Sequence, residues 1–395
     1  MPAEESAEGR ESSVEARESS VEARWWKPLI APSALLVAVF ALQLVAHFSP
    51  QLTEHYYSRT LYPRVARLLG GVGSLTGFSL AEVLLVLLLA LAAAGFAWLV
   101  RRLFLRRQAV RELLLRALAG LLWTTGVGTL VFLLVFGLNY QRQPLADNLS
   151  LEQRDPEARE IETISRAVIA GINDNYAESR VDSAGERGSQ LPLDRARLYE
   201  IIEAAYDAEP LLREVGAEGV ARPKPVYFSG VMSRFGISGI YSPFTGEPNY
   251  NDAQVDCDLP FTIAHEVAHA RGFARESEAN FVAFLVCIRS SHPYVRYSGY
   301  LNALRVLGVL YRVSPQAYRE IRATLGAGPL ADLKARAAFW ARYEGRLSNF
   351  SSQLNNAYLK VNGVRSGVRN YNESVWLVIG YYLKQARTPA PPVEP

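Results

Sequence analysis

His265, Glu266 and His269 stand in the stretch Phe261-Thr-Ile-Ala-His265-Glu266-Val-Ala-His269-Ala-Arg-Gly272, a His-Glu-x-x-His pattern with mostly apolar residues before and between its polar ones. On a helix, residues four apart share a face. His265 and His269 can therefore point ring nitrogens at one Zn2+, with Glu266 beside the metal and placed to activate its water. The chain contains five histidines, His47, His55, His265, His269 and His292, and two of them fall at ligand spacing around a glutamate. Gly272 offers a helix stop three residues after the second, and two carboxylates, Glu276 and Glu278, follow closely.

A hydrolytic zinc site wants three protein ligands and one open position, so a third ligand is sought nearby. In Glu276-Ser-Glu278-Ala-Asn280, Glu276 and Asn280 lie four apart on one helical face. This is similar to the Glu-x-x-x-Asp segment of zincins with a glutamate ligand, although Asn280 replaces the aspartate and brings less charge. The match favours Glu276, and Glu278 stays the alternative. His292, in Ser-Ser-His292-Pro, reads as a surface turn residue. For an oxyanion donor the C-terminal segment offers Arg369 and Tyr371, neither specifically marked.

The elements that must position these residues divide sharply in character. Residues 29–48, 78–100 and 117–138 are long, nearly uncharged apolar stretches, expected to be three transmembrane helices. Between the second and third lie Arg101, Arg102, Arg106, Arg107, Arg111 and Arg116 against a single Glu112, which assigns that loop to the cytoplasm. The N-terminus is then inside, the loop 49–77 outside, and everything from 139 on, motif included, extracytoplasmic. Topology thus accounts for the positive charge that gives the chain a net +3, and no nucleic-acid partner is needed to explain it. The lipid bilayer is the expected partner, with a peptide or protein as substrate.

The polar tail 1–28 contains a two-copy heptad, ESSVEAR-ESSVEAR, over 11–24; it can bury little and reads as a solvated cytoplasmic tail. Residues 29–138 form the membrane domain, 139–387 the outer domain, and 388–395 a Pro-rich tail. In the outer domain, helical periodicity is expected over 159–178 and 193–206. A Gly-, Pro- and Tyr-rich stretch, 223–251, suits short strands and turns, and Gly236–Tyr241 is a candidate edge strand. From 259 the chain reads as helical: about 260–271, 275–290, 293–312, 315–325, 329–359 and 372–386. Cys257 and Cys287 are compatible with a disulfide or with two buried thiols.

Phe78-Ser-Leu-Ala-Glu82, Gly137-Leu-Asn-Tyr-Gln-Arg142, the long segment Cys257–Phe281 and Tyr358-Leu-Lys-Val-Asn-Gly363 together resemble the bacterial membrane proteins grouped as domain of unknown function 3810. The resemblance covers about 29–385. It implies a mainly α chain in which three N-terminal transmembrane helices precede a predominantly helical, zincin-like outer domain, with a small β element before the His-Glu-x-x-His helix. The family supplies no substrate. Two functions follow as expectations. One is a membrane-anchored zinc metallopeptidase using His265, His269 and Glu276 as ligands and Glu266 as general base. The other is a zinc-containing sensor or binding module without a primary catalytic role.

Overall fold

The computed structural model describes residues 27–105, 110–182, 187–364 and 370–387. The heptad tail, Arg369 and the Pro-rich end fall outside these residues. The described residues are mainly helical, with one small three-stranded sheet. They form two compact units, one of Lys27–Phe48 and Leu84–Leu134, the other of Ser49–Val83 and the chain from Val135 onward.

The first unit is built from α1 (Lys27–Phe48), most of α3 (Leu80–Leu105) and α4 (Val110–Val135). Among the described residues three helices are long and apolar enough to cross a membrane, Lys27–Phe48, Leu80–Leu105 and Glu112–Val135, and little of their apolar length is buried in protein. A helix that is apolar all round and exposed all round belongs in lipid. Gly126 lets α4 approach α1 closely, since a Cβ there would stand 2.9 Å from Leu35 Cδ2. The helix of the second span begins at Leu80, with the Ser79 hydroxyl accepting from the Glu82 N–H. The third ends at Val135, where the chain tightens into a 3-10 turn, Gly137–Gln141.

In the second unit, the segment 49–77, read from sequence as a loop, is largely helical. A π-helical stretch, Thr53–Leu61, runs directly into α2 (Tyr62–Gly73). It inserts Glu54 into the interior, where Arg142 donates two hydrogen bonds to its carboxylate (2.7 and 2.8 Å) and Arg59 a third. Arg142 is itself buried and donates to the carbonyls of Val215 and Gly272. Burial alone raises the Glu54 pKa, but Arg142 and Arg59 hold it below the usual carboxylate value. The ion pair therefore stabilises the fold above the unfolded carboxylate pKa and is lost as pH falls through the lower folded one. Arg142→Met removes two of the three guanidinium hydrogen bonds to that buried charge and is expected to cost about 3–5 kcal/mol. A fall in the thermal transition of the solubilised protein below about 2 °C would show that the pair carries no such weight.

Helices α5 (Ala158–Ser179) and α6 (Arg195–Ala208) start at Glu157, in a capping box with Glu160, and at Asp194, whose side chain accepts from the Arg197 N–H. Strands β1 (Lys224–Pro225), β2 (Gly239–Ser242) and β3 (Glu247–Tyr250) order as β1-β3-β2, with β1 parallel and β2 antiparallel to β3. Then come α7 (Leu259–Ala270), α8 (Glu276–Arg289) and α9 (Pro293–Ala303). Residues Phe281–Cys287 of α8 are all buried, so this helix is the core against which α7, α9, α6 and the last helix pack.

The expected helix 293–312 is two helices, broken by a 3-10 turn at Leu304–Val306. The expected 329–359 is also two, α10 (Ala327–Ala341) and α11 (Arg346–Val361). They part before Gly345, whose N–H is accepted by the Ser348 hydroxyl at the start of α11. The chain closes with α12 (Asn370–Arg387). Cys257 and Cys287 are free, buried thiols, the second of the two readings open to them.

Candidate metal-binding site

Helix α7 exists because its apolar residues Ile263, Ala264, Val267 and Ala268 are almost wholly buried and Pro260 occupies the first turn, where a missing N–H costs nothing. It ends in a Schellman turn: Phe273 N–H donates to Ala268 O, Gly272 N–H donates to His269 O, and Gly272 takes φ +98°. A Cβ at Gly272 would stand 2.8 Å from the ring of Tyr62, whose hydroxyl donates to Ala270 O. The turn does chemical work. It presents the Phe273 carbonyl 2.8 Å from His269 Nδ1. A carbonyl only accepts, so Nδ1 carries a proton in either charge state, and in the neutral ring the lone pair is on Nε2, facing the other way.

What Nε2 faces is a cluster. His265 Nε2 and His269 Nε2 are 3.1 Å apart, and Glu276 Oε2, reaching back from the first residue of α8, lies 3.2 Å from the former and 3.6 Å from the latter. The three ligand-type atoms all fall within 4.8 Å of one another. The protein partners of this group are few: His265 Nδ1, Glu266 Oε2 and Glu276 Oε2 are buried without a hydrogen bond of normal geometry. Two imidazole nitrogens and one carboxylate oxygen converging in a buried place fit a borderline divalent cation with an open fourth position. Burial lowers the His265 pKa. Burial also disfavours protonated His269, yet the adjoining Glu276 carboxylate outweighs it and raises that ring to about 9. Glu276 answers oppositely: burial would raise it, and the two histidines hold it well below the usual carboxylate range.

Glu278 is turned elsewhere. Its Oε1 accepts from the Leu145 N–H and from Arg275 Nη1, both at 2.8 Å, so it ties the chain after the third span to the start of α8. Asn280 is beside His265, where it favours the protonated ring. His292 caps the N-terminus of α9, its Nδ1 accepting from the Tyr294 N–H at 3.2 Å, away from the cluster. Arg369 and the side chain of Tyr371 are outside the described residues.

Glu266 lies between the cluster and the sheet. Burial pushes its carboxyl up to about 8, helped by the Glu276 charge, while His269 and a hydrogen bond from the backbone of Tyr241 pull the other way. Asn251 N–H donates to Ser238 O, and this fixes the alternation along β2. Ile240 and Ser242 turn their backbone groups to β3, and Gly239 and Tyr241 turn theirs to the outer edge, where the Tyr241 N–H meets Glu266. Gly239 is required there: a Cβ would come 2.4 Å from Glu266 Oε1.

Sequence reading placed Gly236–Tyr241 as a candidate edge strand but did not single out Gly239 as the contact of Glu266. It also missed Tyr358, whose hydroxyl accepts from Tyr140 at 3.3 Å. Burial and the nearby Glu276 raise that phenol to about 12. Its one sequence signal is its place at the head of Tyr358-Leu-Lys-Val-Asn-Gly363. No curated protein and no solved structure matches the chain. The model of one family, described as a protein of unknown function (DUF3810), matches residues 57–379, and the chain belongs to that family.

Proposed function

We propose that this chain is a membrane-anchored zinc metallopeptidase of zincin type, with its site on the extracytoplasmic side. The observation that carries the reading is the convergence of His265, His269 and Glu276 next to a buried, half-satisfied Glu266. The three residues would hold Zn2+, which when bound supplies Lewis acidity, polarising a carbonyl and acidifying a water. Glu266 takes the proton from the attacking water as its oxygen bonds to the peptide carbonyl carbon. The C–N bond then breaks, and the same carboxyl delivers that proton to the leaving amine. A carboxyl titrating near neutral pH suits both halves of that task. The outward backbone of Gly239 and the carbonyl of Tyr241 offer an edge along which an extended peptide pairs, and Tyr358, within electrostatic range of Glu276, is the hydroxyl we assign to the developing oxyanion.

The full-length protein, purified without added metal, is expected to carry about one zinc per chain and to cleave members of a randomised peptide library until a chelator removes the metal. Absence of zinc, or cleavage indifferent to the chelator, sinks the reading. The sidedness is tested by Asp182→Cys, exposed on the second unit. Its thiol should react with an impermeant reagent from outside intact cells, and labelling only after lysis would place the site in the cytoplasm.

A further inference from the structure

The sheet that touches Glu266 also grips the head of a membrane span. Glu247 of β3 is fully buried and accepts from the N–H groups of Leu80 and Ala81, the first residues of α3 (3.2 and 2.9 Å). Lys224 of β1 donates to Glu247 and to the carbonyls of Gly73 and Phe78. Glu82, one residue further along α3, accepts from the N–H groups of Tyr227 and Phe228 just beyond β1 (2.9 and 3.0 Å). Six backbone groups, four in this connection and two just beyond β1, are thus held by three charged side chains. The grip also fixes where the sheet stands relative to lipid. Arg101 and Arg102 close the cytoplasmic end of α3. Counting back about 20 residues, the roughly 30 Å of hydrocarbon at 1.5 Å per residue, reaches Ala81. The grip therefore sits at the bilayer boundary.

From there to the site is short. Ser242 pairs with Glu247 and Gly239 with Tyr250, so three residues of strand, about 10 Å, separate the level of the grip from the level of Glu266. With the side chains at either end, Glu266 lies within roughly 20 Å of the hydrocarbon, the reach of about six extended residues. Around the grip, large apolar side chains face outward: Leu75 is 81 % exposed, Tyr227 87 %, Phe228 51 % and Phe78 57 %. Because Glu82 holds the backbone of 227–228, these two aromatics stand at the level where α3 enters lipid. Aromatic and apolar groups at that level are accommodated by the membrane interface and not by water.

We propose that Leu75, Phe78, Tyr227 and Phe228 seat the sheet on the outer leaflet, and that the site hydrolyses peptide bonds in the membrane-proximal segment of polypeptides anchored in the same bilayer. The substrate half of this proposal rests on the hydrolase reading above; the seat does not.

The test uses the full-length protein in lipid vesicles. Spin labels at Phe78→Cys and Tyr227→Cys are read for collision with oxygen against a water-soluble nickel chelate, with Glu200→Cys on α6 as an aqueous reference. Labels that favour oxygen support the seat, and labels that match Glu200→Cys overturn it. In the second arm, randomised decapeptides are offered free or fused to a hydrophobic helix through a spacer of about four or about twenty residues. The short-spacer substrate is expected to be cleaved at least as fast as the long one, and both about 100-fold faster than the free peptide. Cleavage of the long-spacer substrate alone places the site too far from lipid, and equal cleavage of free and anchored peptide removes the substrate class. Lipid-like labels with no cleavage in any arm keep the seat, and they overturn the hydrolase reading and with it the substrate half of the proposal.

Discussion

Glu266→Gln is expected to lower peptide hydrolysis by roughly 10²–10⁴-fold while leaving the zinc content and the fold intact. The amide keeps the shape and hydrogen-bonding capacity of the side chain but cannot take a proton from water or carry one to an amine. Glu266 is not among the three converging ligand atoms, so its loss does not remove a donor. Gly239→Ala supplies the complementary result. Its methyl would meet Glu266 Oε1 at 2.4 Å, so the carboxylate must shift although its chemistry is unchanged. We expect a smaller loss of turnover with metal retained, because a displaced base works less well than a well-placed one and better than none. Turnover and metal analysis on the same preparations separate these outcomes. Wild-type turnover in Glu266→Gln beside a dead His269→Ala variant would mean that zinc serves structure alone.

The His-Glu-x-x-His spacing, the stop at Gly272 and the carboxylate four residues before Asn280 were legible because each is local: helical periodicity and a left-handed turn are written in adjacent residues. The choice between Glu276 and Glu278 rested on that short match, since α8 is apolar on nearly every face and periodicity gives no preferred side. What separates them spatially is the Leu145 N–H and Arg275, which engage Glu278 and leave Glu276 to the histidines. Longer-range partners had no local signature. Nothing in the sequence around Glu54 says that it meets Arg142, 88 residues away, and without that pairing the segment 49–77 reads as a loop between spans. Two expected helices, 293–312 and 329–359, are each broken in the structure for the opposite reason. Apolar periodicity continues across Leu304–Val306 and Tyr343–Gly345, and the breaks follow from packing and from a side-chain cap at Ser348.

Removing ligands is expected to have the second large effect, and its pattern across four variants is specific. His265→Ala and His269→Ala each delete one of two nitrogens 3.1 Å apart and should lose stoichiometric zinc. Glu276→Gln exchanges the only carboxylate of the cluster for a neutral, weakly ligating amide. The loss of affinity should exceed the roughly 10–100-fold that removal of a merely supporting residue costs. Glu278→Gln is the control: two residues along the same helix and more deeply buried, but bound to Leu145 and Arg275. It should keep its zinc and show its defect as lowered thermal stability, because the amide weakens two charge-assisted hydrogen bonds. Competition against a fluorescent zinc chelator, measured beside the unfolding transition, reads both quantities in one set of samples. Zinc retained in both histidine variants would place the metal elsewhere, and equal affinity loss at Glu276 and Glu278 would remove the ligand assignment even if the histidines stand.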